Sequence, residues 1–468
     1  MRLHWHRRDL RLADNRGLAE PTSKPVGVFV FDDSILEYAG APRVAFLCEA
    51  IDALQTAYRT RDSELFVRRG DPAEWIPSLV HSLDADEVSW NLDYSGLSTE
   101  RDDRVRDALD PDRSIRTAHD AVCHEPGSIT TADGNPYSVY SYFLKKWRDR
   151  EKTEPFEIPD LAPVGSGGIG TIPAGEIPGP KDLGFQAPEA SIPAAQPDAA
   201  RDALTSFLDT DVFRYADRRD YPADRCTSRL SPHLKFGTIG IRDVDERVRD
   251  VRDRSEGGDR ESVVEFRSQL AWREFYMHVL SFNPETVVEN FREYENDLDW
   301  ENDLELLAAW KRGETGYPII DAGMRQLATE AFLHNRLRMI VASFLVKDLL
   351  VDWRYGYDHF RTHLVDHDTA NDVGGWQWAA STGTDAQPYF RIFNPVTQGE
   401  RYDPAATYVT RYVPELDGVD PEVVHSWTEL QPTRRRNVAP DYPPPIVDHV
   451  ERRERALEMF DRARGESG

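Results

Sequence analysis

Between Gly316 and Glu400 the chain gathers groups that could do chemistry together: Trp353, Trp376, Trp378, Tyr389 and Phe390 stand among Asn335, Arg336, Arg338, Asp366 and Asp368. An ordinary amphipathic helix fills its buried stripe with Leu, Ile and Val. Guanidinium, carboxylate and carboxamide groups buried among indoles each need a hydrogen-bond partner. A large, flat ligand with polar edges would supply those partners. Two other patterns invite chemistry and fail on context. His359, His363 and His367 fall at i, i+4 and i+8, as zinc ligands on one helix face would. No Glu follows the first His as the H-E-x-x-H motif requires, and no metal is expected. Gly165-Ser166-Gly167-Gly168-Ile169-Gly170 fits the dinucleotide pattern G-x-G-x-x-G, but no strand run leads into it and prolines flank it at 163 and 173. The phosphate-cradling turn is therefore not expected there.

Read in order, the informative stretch contains Gly316-Tyr317-Pro318, Asp321-Ala322-Gly323-Met324-Arg325, His334-Asn335-Arg336-Leu337-Arg338-Met339, Asp352-Trp353-Arg354 and Gly374-Gly375-Trp376-Gln377-Trp378-Ala379-Ala380-Ser381-Thr382-Gly383-Thr384-Asp385. With Trp5-His6-Arg7-Arg8-Asp9-Leu10-Arg11 near the start and Thr227-Ser228-Arg229-Leu230-Ser231-Pro232 midway, it resembles the photolyase/cryptochrome family over most of its length. The resemblance implies bound flavin adenine dinucleotide (FAD), with Tyr215, Thr227, Ser228, Leu230, Ser231, Gln269, Arg273, Asn335, Arg338, Asp366, Asp368 and Asp372 at the flavin-contacting positions. Hydroxyls and amides just before a helix suit a diphosphate; the competing reading of Thr227 to Ser231 is a plain helix cap. By the same resemblance Trp300, Trp353 and Trp376 form an electron relay, and Trp272 and Trp378 hold a flipped lesion. Arg219, Arg336, Arg391 and Gln398 match DNA-contacting positions, and Asn335 and Met339 face the damaged bases. If 334–349 is helical, Asn335, Arg338 and Met339 share one face and Arg336 points about 100° away.

The implied activity is light-driven repair of cyclobutane pyrimidine dimers in DNA, by electron transfer from photoexcited reduced FAD. Flipping costs a few kcal/mol, least for damaged bases, and aromatic contacts of about 1–3 kcal/mol per base offset it. Asn335 and Met339 stand where the related 6-4 photolyases carry two histidines, which favours the cyclobutane dimer. Two residues depart from the family pattern. Gln269 replaces a Glu, and an amide cannot donate a proton at neutral pH. Asp372 replaces an Asn beside the flavin; a carboxylic acid there could protonate the flavin, whereas a carboxylate would repel its reduced anion. These departures leave a cryptochrome-like blue-light photoreceptor as the alternative. The resemblance also implies an antenna chromophore in the N-terminal domain, an 8-hydroxy-deazaflavin or methenyltetrahydrofolate, on the strength of Arg43-Val44-Ala45-Phe46-Leu47 and Asn135-Pro136-Tyr137-Ser138-Val139-Tyr140.

The elements that must position these groups are legible in outline. Val26 to Phe31, Ser63 to Arg68 and Glu87 to Trp90 are strand-like runs, and helical patterns from Val44 to Tyr58 and from Arg101 to Leu109 lie between them. The alternation predicts a doubly wound parallel sheet in an α/β domain over 1–130. A Pro-, Gly- and Ala-rich connection falls within 131–199, and an all-α flavin- and DNA-binding domain is expected over 200–468. Cys48, Cys123 and Cys226 are expected as buried free thiols. No apolar run approaches the ~20 residues that span a bilayer, and Met1-Arg2-Leu3-His4-Trp5 is no signal peptide; a cytoplasmic monomer acting on dimer-containing DNA is expected. The formal charge of −26 is spread along the chain, a profile that resembles proteins of salt-loving organisms, where ions screen charge within a few ångströms.

Overall fold

The computed structural model describes residues 1–19, 23–164, 168–169 and 172–465. Five strands form one parallel sheet: β1 (Arg2–His6), β2 (Pro25–Phe31), β3 (Leu65–Arg69), β4 (Glu87–Asn91) and β5 (Ser114–Ala118), in the order β3-β2-β1-β4-β5. The switch at β1 leaves the C-terminal strand ends facing a common crest, where open α/β sheets present their chemistry. Helices Ala41–Arg59, Pro72–Ser82 and Gly96–Ala108 provide the crossovers. The helix Ala41–Arg59 buries Val44, Phe46, Ile51 and Leu54, which is the apolar stripe its sequence spacing predicts.

At the crest, Asp9 is buried and ionised, because His4 Nε2 (3.0 Å), Asn15 Nδ2 (2.9 Å), Asn91 Nδ2 (2.7 Å) and the Arg7 N–H (2.7 Å) all converge on its carboxylate. Burial alone would raise this carboxyl; the two neighbouring histidines hold it well below the usual range. His4 and His6 have both ring nitrogens engaged, with Ser89 and Asp9 for the first and the Asp9 carbonyl and Tyr58 for the second. The cluster is a satisfied polar core.

Two helical cores follow. One joins Leu204, Phe207, Val244, Val248, Phe266 and Phe275; the other surrounds Trp310, Trp353, Trp376 and Trp427. The 131–199 stretch is divided between the two halves of the molecule. Its helix Tyr140–Asp149 places Tyr140, Phe143 and Trp147 in the first helical core, while Leu161 and Leu183 complete a core beside the sheet. The Gly165–Gly170 motif lies outside the described residues except Gly168 and Ile169, which pair antiparallel with Pro173 and Ile172. The 334–349 helix is α-helical only from Asn335 to Ser343 and then widens into a π turn, Phe344–Asp348. Cys48 and Cys226 are buried, whereas Cys123 is half-buried; all three are free thiols.

Buried charge ties sheet to helices. Arg242 Nε reaches Asp14 Oδ1 at 2.6 Å and also pairs with Asp120. Glu274, on the long helix Gly257–Phe282, accepts the backbone N–H groups of Cys123 (2.6 Å) and His124 (2.9 Å) just past β5. Burial pushes the Glu274 carboxyl up to about 7, against the lowering pull of those donors. An acid held more protonated in the fold than when unfolded gives stability that is present below pH 4.5 and lost as pH rises through 7. Glu274→Gln is therefore expected to flatten the fall in melting temperature between these pH values, read by thermal unfolding at stepped pH. Close packing makes a second expectation: a Cβ on Gly356 would lie 2.1 Å from the Trp376 ring. Overpacking costs about 1–3 kcal/mol, against a gain of about 1 kcal/mol in helix propensity. Gly356→Ala is expected to lower the denaturant midpoint through a net loss of about 1 kcal/mol.

Candidate functional site

The start of the helix Thr369–Ala380 gathers buried charge from both halves of the chain. Asp368 caps it, accepting from the Asn371 N–H at 3.2 Å and from Asn371 Nδ2 at 2.8 Å. Its other oxygen meets Arg8 Nη2 at 2.6 Å, and Arg8 also holds Asp93 at 2.9 Å. The Asp368 carboxyl is driven far below its ordinary value: burial would raise it, and Arg8, Lys235 and Arg273 outweigh that. One turn on, Arg338 Nη2 grips both oxygens of Asp366 (2.8 and 2.7 Å) while Nη1 reaches Asp372 Oδ1 at 3.3 Å. Asp372 Oδ2 accepts the Asp368 N–H at 3.0 Å and lies 2.6 Å from His367 Nδ1. Burial favours the neutral acid, but His367 and Arg338 hold Asp372 below the usual carboxylate range. The group is therefore an ionised carboxylate and no proton donor at neutral pH.

In the Asn335–Ser343 helix, Asn335, Arg338 and Met339 stand at i, i+3 and i+4, the spacing of one face. Asn335 Nδ2 and Met339 Sδ stand 3.7 Å apart on one side, whereas Arg338 turns toward the two aspartates. Arg336 leaves in a third direction, to Asp220 Oδ2 at 2.7 Å and over the Tyr402 ring at 4.4 Å.

The plain-cap reading of Thr227 to Ser231 is not realised. Leu230 is the N-cap of the helix Ser231–Phe236 and makes no side-chain cap bond, so its first amides have no side-chain acceptor of their own. Arg273 comes from the long helix to the Ala121 carbonyl (2.7 Å) and the Leu234 carbonyl (3.1 Å). Tyr215 is buried at the start of the helix Tyr215–Arg218, against Phe207 and Phe266. Uncapped amides, hydroxyls and a half-buried guanidinium form a donor set that fits a diphosphate, and the Arg338–Asp366–Asp372 group fits a polar ring edge.

Trp353 and Trp376 sit within one core, and Trp300 packs against it. Trp353 Nε1 donates to Asn290 Oδ1 at 2.9 Å; the buried Trp376 Nε1 has no partner among the described residues. Trp376 meets Phe360 edge-on at 4.9 Å, and Trp300 lies 6.3 Å from Phe460 of the C-terminal helix His449–Ala463. Trp272 stacks on Tyr140 with ring centroids 3.6 Å apart, a pairing that residue spacing does not announce. Trp378 packs against Phe393. Arg391 is exposed and Gln398 half-buried. Arg219 is held by Glu265 Oε1 at 2.6 Å.

Of the motifs taken to mark an antenna, Arg43, Val44 and Leu47 line a cleft at the C-terminal ends of β1 and β2 with Trp5, Arg101 and Lys235. Asn135 to Tyr140 does not: Tyr140 belongs to the first helical core, under Trp272. The helix Trp353–His363 ends before His367, so the three histidines do not share a helix face; among the described residues His367 serves Asp372.

The functional contacts missed in sequence were Arg8 to Asp368, His367 to Asp372 and Glu265 to Arg219. The first spans the two halves of the chain, and the charged stretch Arg7-Arg8-Asp9 next to a strand was its one visible signal.

Comparison with known proteins agrees with this arrangement. A family model described as the FAD binding domain of DNA photolyase matches residues 266–462, and one described as DNA photolyase matches residues 2–160. The deoxyribodipyrimidine photo-lyase of Halobacterium salinarum is 56% identical, with 100% of each chain covered. The crystal structure of a class III photolyase from Agrobacterium tumefaciens superposes with a TM-score of 0.88 at 33% identity, covering 99% of this chain and 98% of that one. An archaeal photolyase from Sulfolobus tokodaii, described as holding two FAD molecules with the implication of a novel light-harvesting cofactor, gives a TM-score of 0.83 at 32% identity, covering 98% and 99%. With its parallel-sheet domain, its FAD-binding helical domain and the buried aspartate–arginine group between them, the chain belongs to the photolyase/cryptochrome family.

Proposed function

We propose that the protein repairs cyclobutane pyrimidine dimers in DNA, driven by blue light. The observation that carries this reading is full-length similarity to a deoxyribodipyrimidine photo-lyase at 56% identity. When bound and reduced, FAD would supply the photoexcitable one-electron donor that opening the two bonds joining the pyrimidines requires, with no net change of redox state. The chain's residues do the rest. Thr227, Ser228, Leu230, Ser231 and Arg273 bind the diphosphate; Tyr215, Asp366, Asp368 and Asp372 with Arg338 hold the ribityl and ring edges. Trp272 and Trp378 clamp the flipped bases and keep water out, while Gln269, Asn335 and Met339 face them. Arg219, Arg336, Arg391 and Gln398 contact the DNA backbone. Trp376, Trp353 and Trp300 carry electrons inward from solvent to restore the reduced cofactor.

Asp372 supports repair over signalling. Held ionised, it donates no proton to the flavin, and Arg338, which it shares with Asp366, offsets part of its charge. For the antenna we propose the cleft that holds Trp5 between Arg7 (4.9 Å) and Arg101 (5.1 Å). Its cationic wall suits either an acidic deazaflavin or a folate. Among the described residues no helix is long and apolar enough to cross a membrane, and we place the protein in the cytoplasm as a monomer.

Reduced protein illuminated with dimer-containing DNA is expected to remove dimers, and to remove none in darkness, as followed by loss of dimers on the strand; absence of light-dependent loss would overturn the reading. Trp376→Phe is expected to abolish photoreduction of the oxidised protein. Chemically reduced Trp376→Phe should still repair, because the relay restores the cofactor and takes no part in opening the dimer.

A further inference from the structure

Gln269 lies one helical turn after Glu265 on the long helix Gly257–Phe282, and its amide nitrogen is surrounded by acceptors. Nε2 is 3.2 Å from Glu265 Oε1, 3.4 Å from the Glu265 carbonyl and 3.0 Å from Ser268 Oγ. The two Glu265 oxygens accept only, at neutral pH. Ser268 spends its single hydroxyl hydrogen on the Glu265 carbonyl at 2.7 Å and so can only accept from Gln269. A reversed amide would set its carbonyl oxygen against these acceptors, which is a repulsive arrangement. The amide nitrogen is therefore turned toward Glu265 and Ser268, and Oε1 is left without a hydrogen-bond partner among the described residues. Arg219 holds Glu265 from the other side at 2.6 Å and fixes the carboxylate that orients the amide.

We propose that Glu265 is a positioning residue that presents Gln269 to the lesion as a hydrogen-bond acceptor, so that the site selects a pyrimidine carrying an imide N3–H. Thymine and uracil have that hydrogen; cytosine has a lone pair there and is disfavoured. The substitution of Gln for Glu thus keeps the acceptor and gives up the acid. This inference rests on the repair reading, in which Gln269 faces the damaged base.

The test is dark binding of duplexes that carry one defined thymine dimer, either unmodified or methylated at N3 of both bases. Wild type, Glu265→Gln, Glu265→Ala and Gln269→Ala are compared, and the ratio of the two dissociation constants is read. Freeing Arg219 in the Glu265 variants changes both constants alike and cancels in the ratio. Gln269→Ala measures the discrimination due to the bulk of the methyl groups alone. Wild type is expected to exceed that baseline about tenfold, the worth of one hydrogen bond with its partner left unsatisfied. Both Glu265 variants should fall most of the way to the baseline, since Gln or Ala at 265 lets the amide turn over. A wild-type ratio equal to that of Gln269→Ala, or Glu265 variants that keep the wild-type ratio, would overturn the proposal while thymine-dimer repair stood. Failure of the wild type to bind and repair the unmodified dimer would instead sink the repair reading beneath it.

Discussion

The grip of Arg338 on Asp366 and Asp372 is the interaction on which the rest of the site depends. Buried carboxylates are tolerated only when paired and hydrogen-bonded, and here Asp366, Asp368 and Asp372 fall within seven residues of one helix start. Arg338 satisfies two of them and Arg8 the third. The consequence is positional: the helix carrying Trp376 and Trp378 can begin only where both guanidiniums meet it. One of these arrives from the Asn335 helix and the other from the crest of the sheet, so the pairing that neutralises the charge also sets the register of sheet domain against helical domain. Arg242 with Asp14 and Asp120 and Glu274 with the chain after β5 repeat the device along the same junction.

Much of this was legible in residue types. Strands β2, β3 and β4 announce themselves as short apolar runs, and the mixture of indoles and guanidiniums from Gly316 to Glu400 marked the place of the site. β5 was not legible, because Ser-Ile-Arg-Thr-Ala sits at the sheet edge, half in solvent, and needs no apolar alternation. The Tyr140–Asp149 helix falls in the segment expected as a connection, ahead of its Pro- and Gly-rich part, which begins at Pro155. The π turn at Phe344–Asp348 carries no periodic signal, since one widened turn only shifts the helical phase. The pairs that matter most, Arg8 with Asp368 and Glu265 with Arg219, join residues far apart in the chain, and a single sequence holds no trace of which arginine meets which carboxylate.

The strong acidity of the chain also acquires a local meaning. On the face assigned to DNA, Arg219 lies against Glu265 and Arg336 against Asp220, so these two cations are already paired in the free protein. Backbone phosphates meet cations that already carry a carboxylate, which lowers the return from charge and shifts discrimination to stacking on Trp272 and Trp378 and to the shape of the flipped pair. At high ionic strength the internal pairs and the phosphate contacts weaken together. A protein balanced in this way depends less on counterion release than one with an open basic face.

The account is tested most directly by the FAD affinity of Arg338→Met, measured by titrating cofactor-free protein and following the bound flavin spectrum alongside wild type. Removing the guanidinium leaves Asp366 and Asp372 buried without their partner, and affinity is expected to fall by roughly tenfold or more. A variant that took up FAD with wild-type affinity and an unchanged spectrum would contradict the central claim that this grip builds the site.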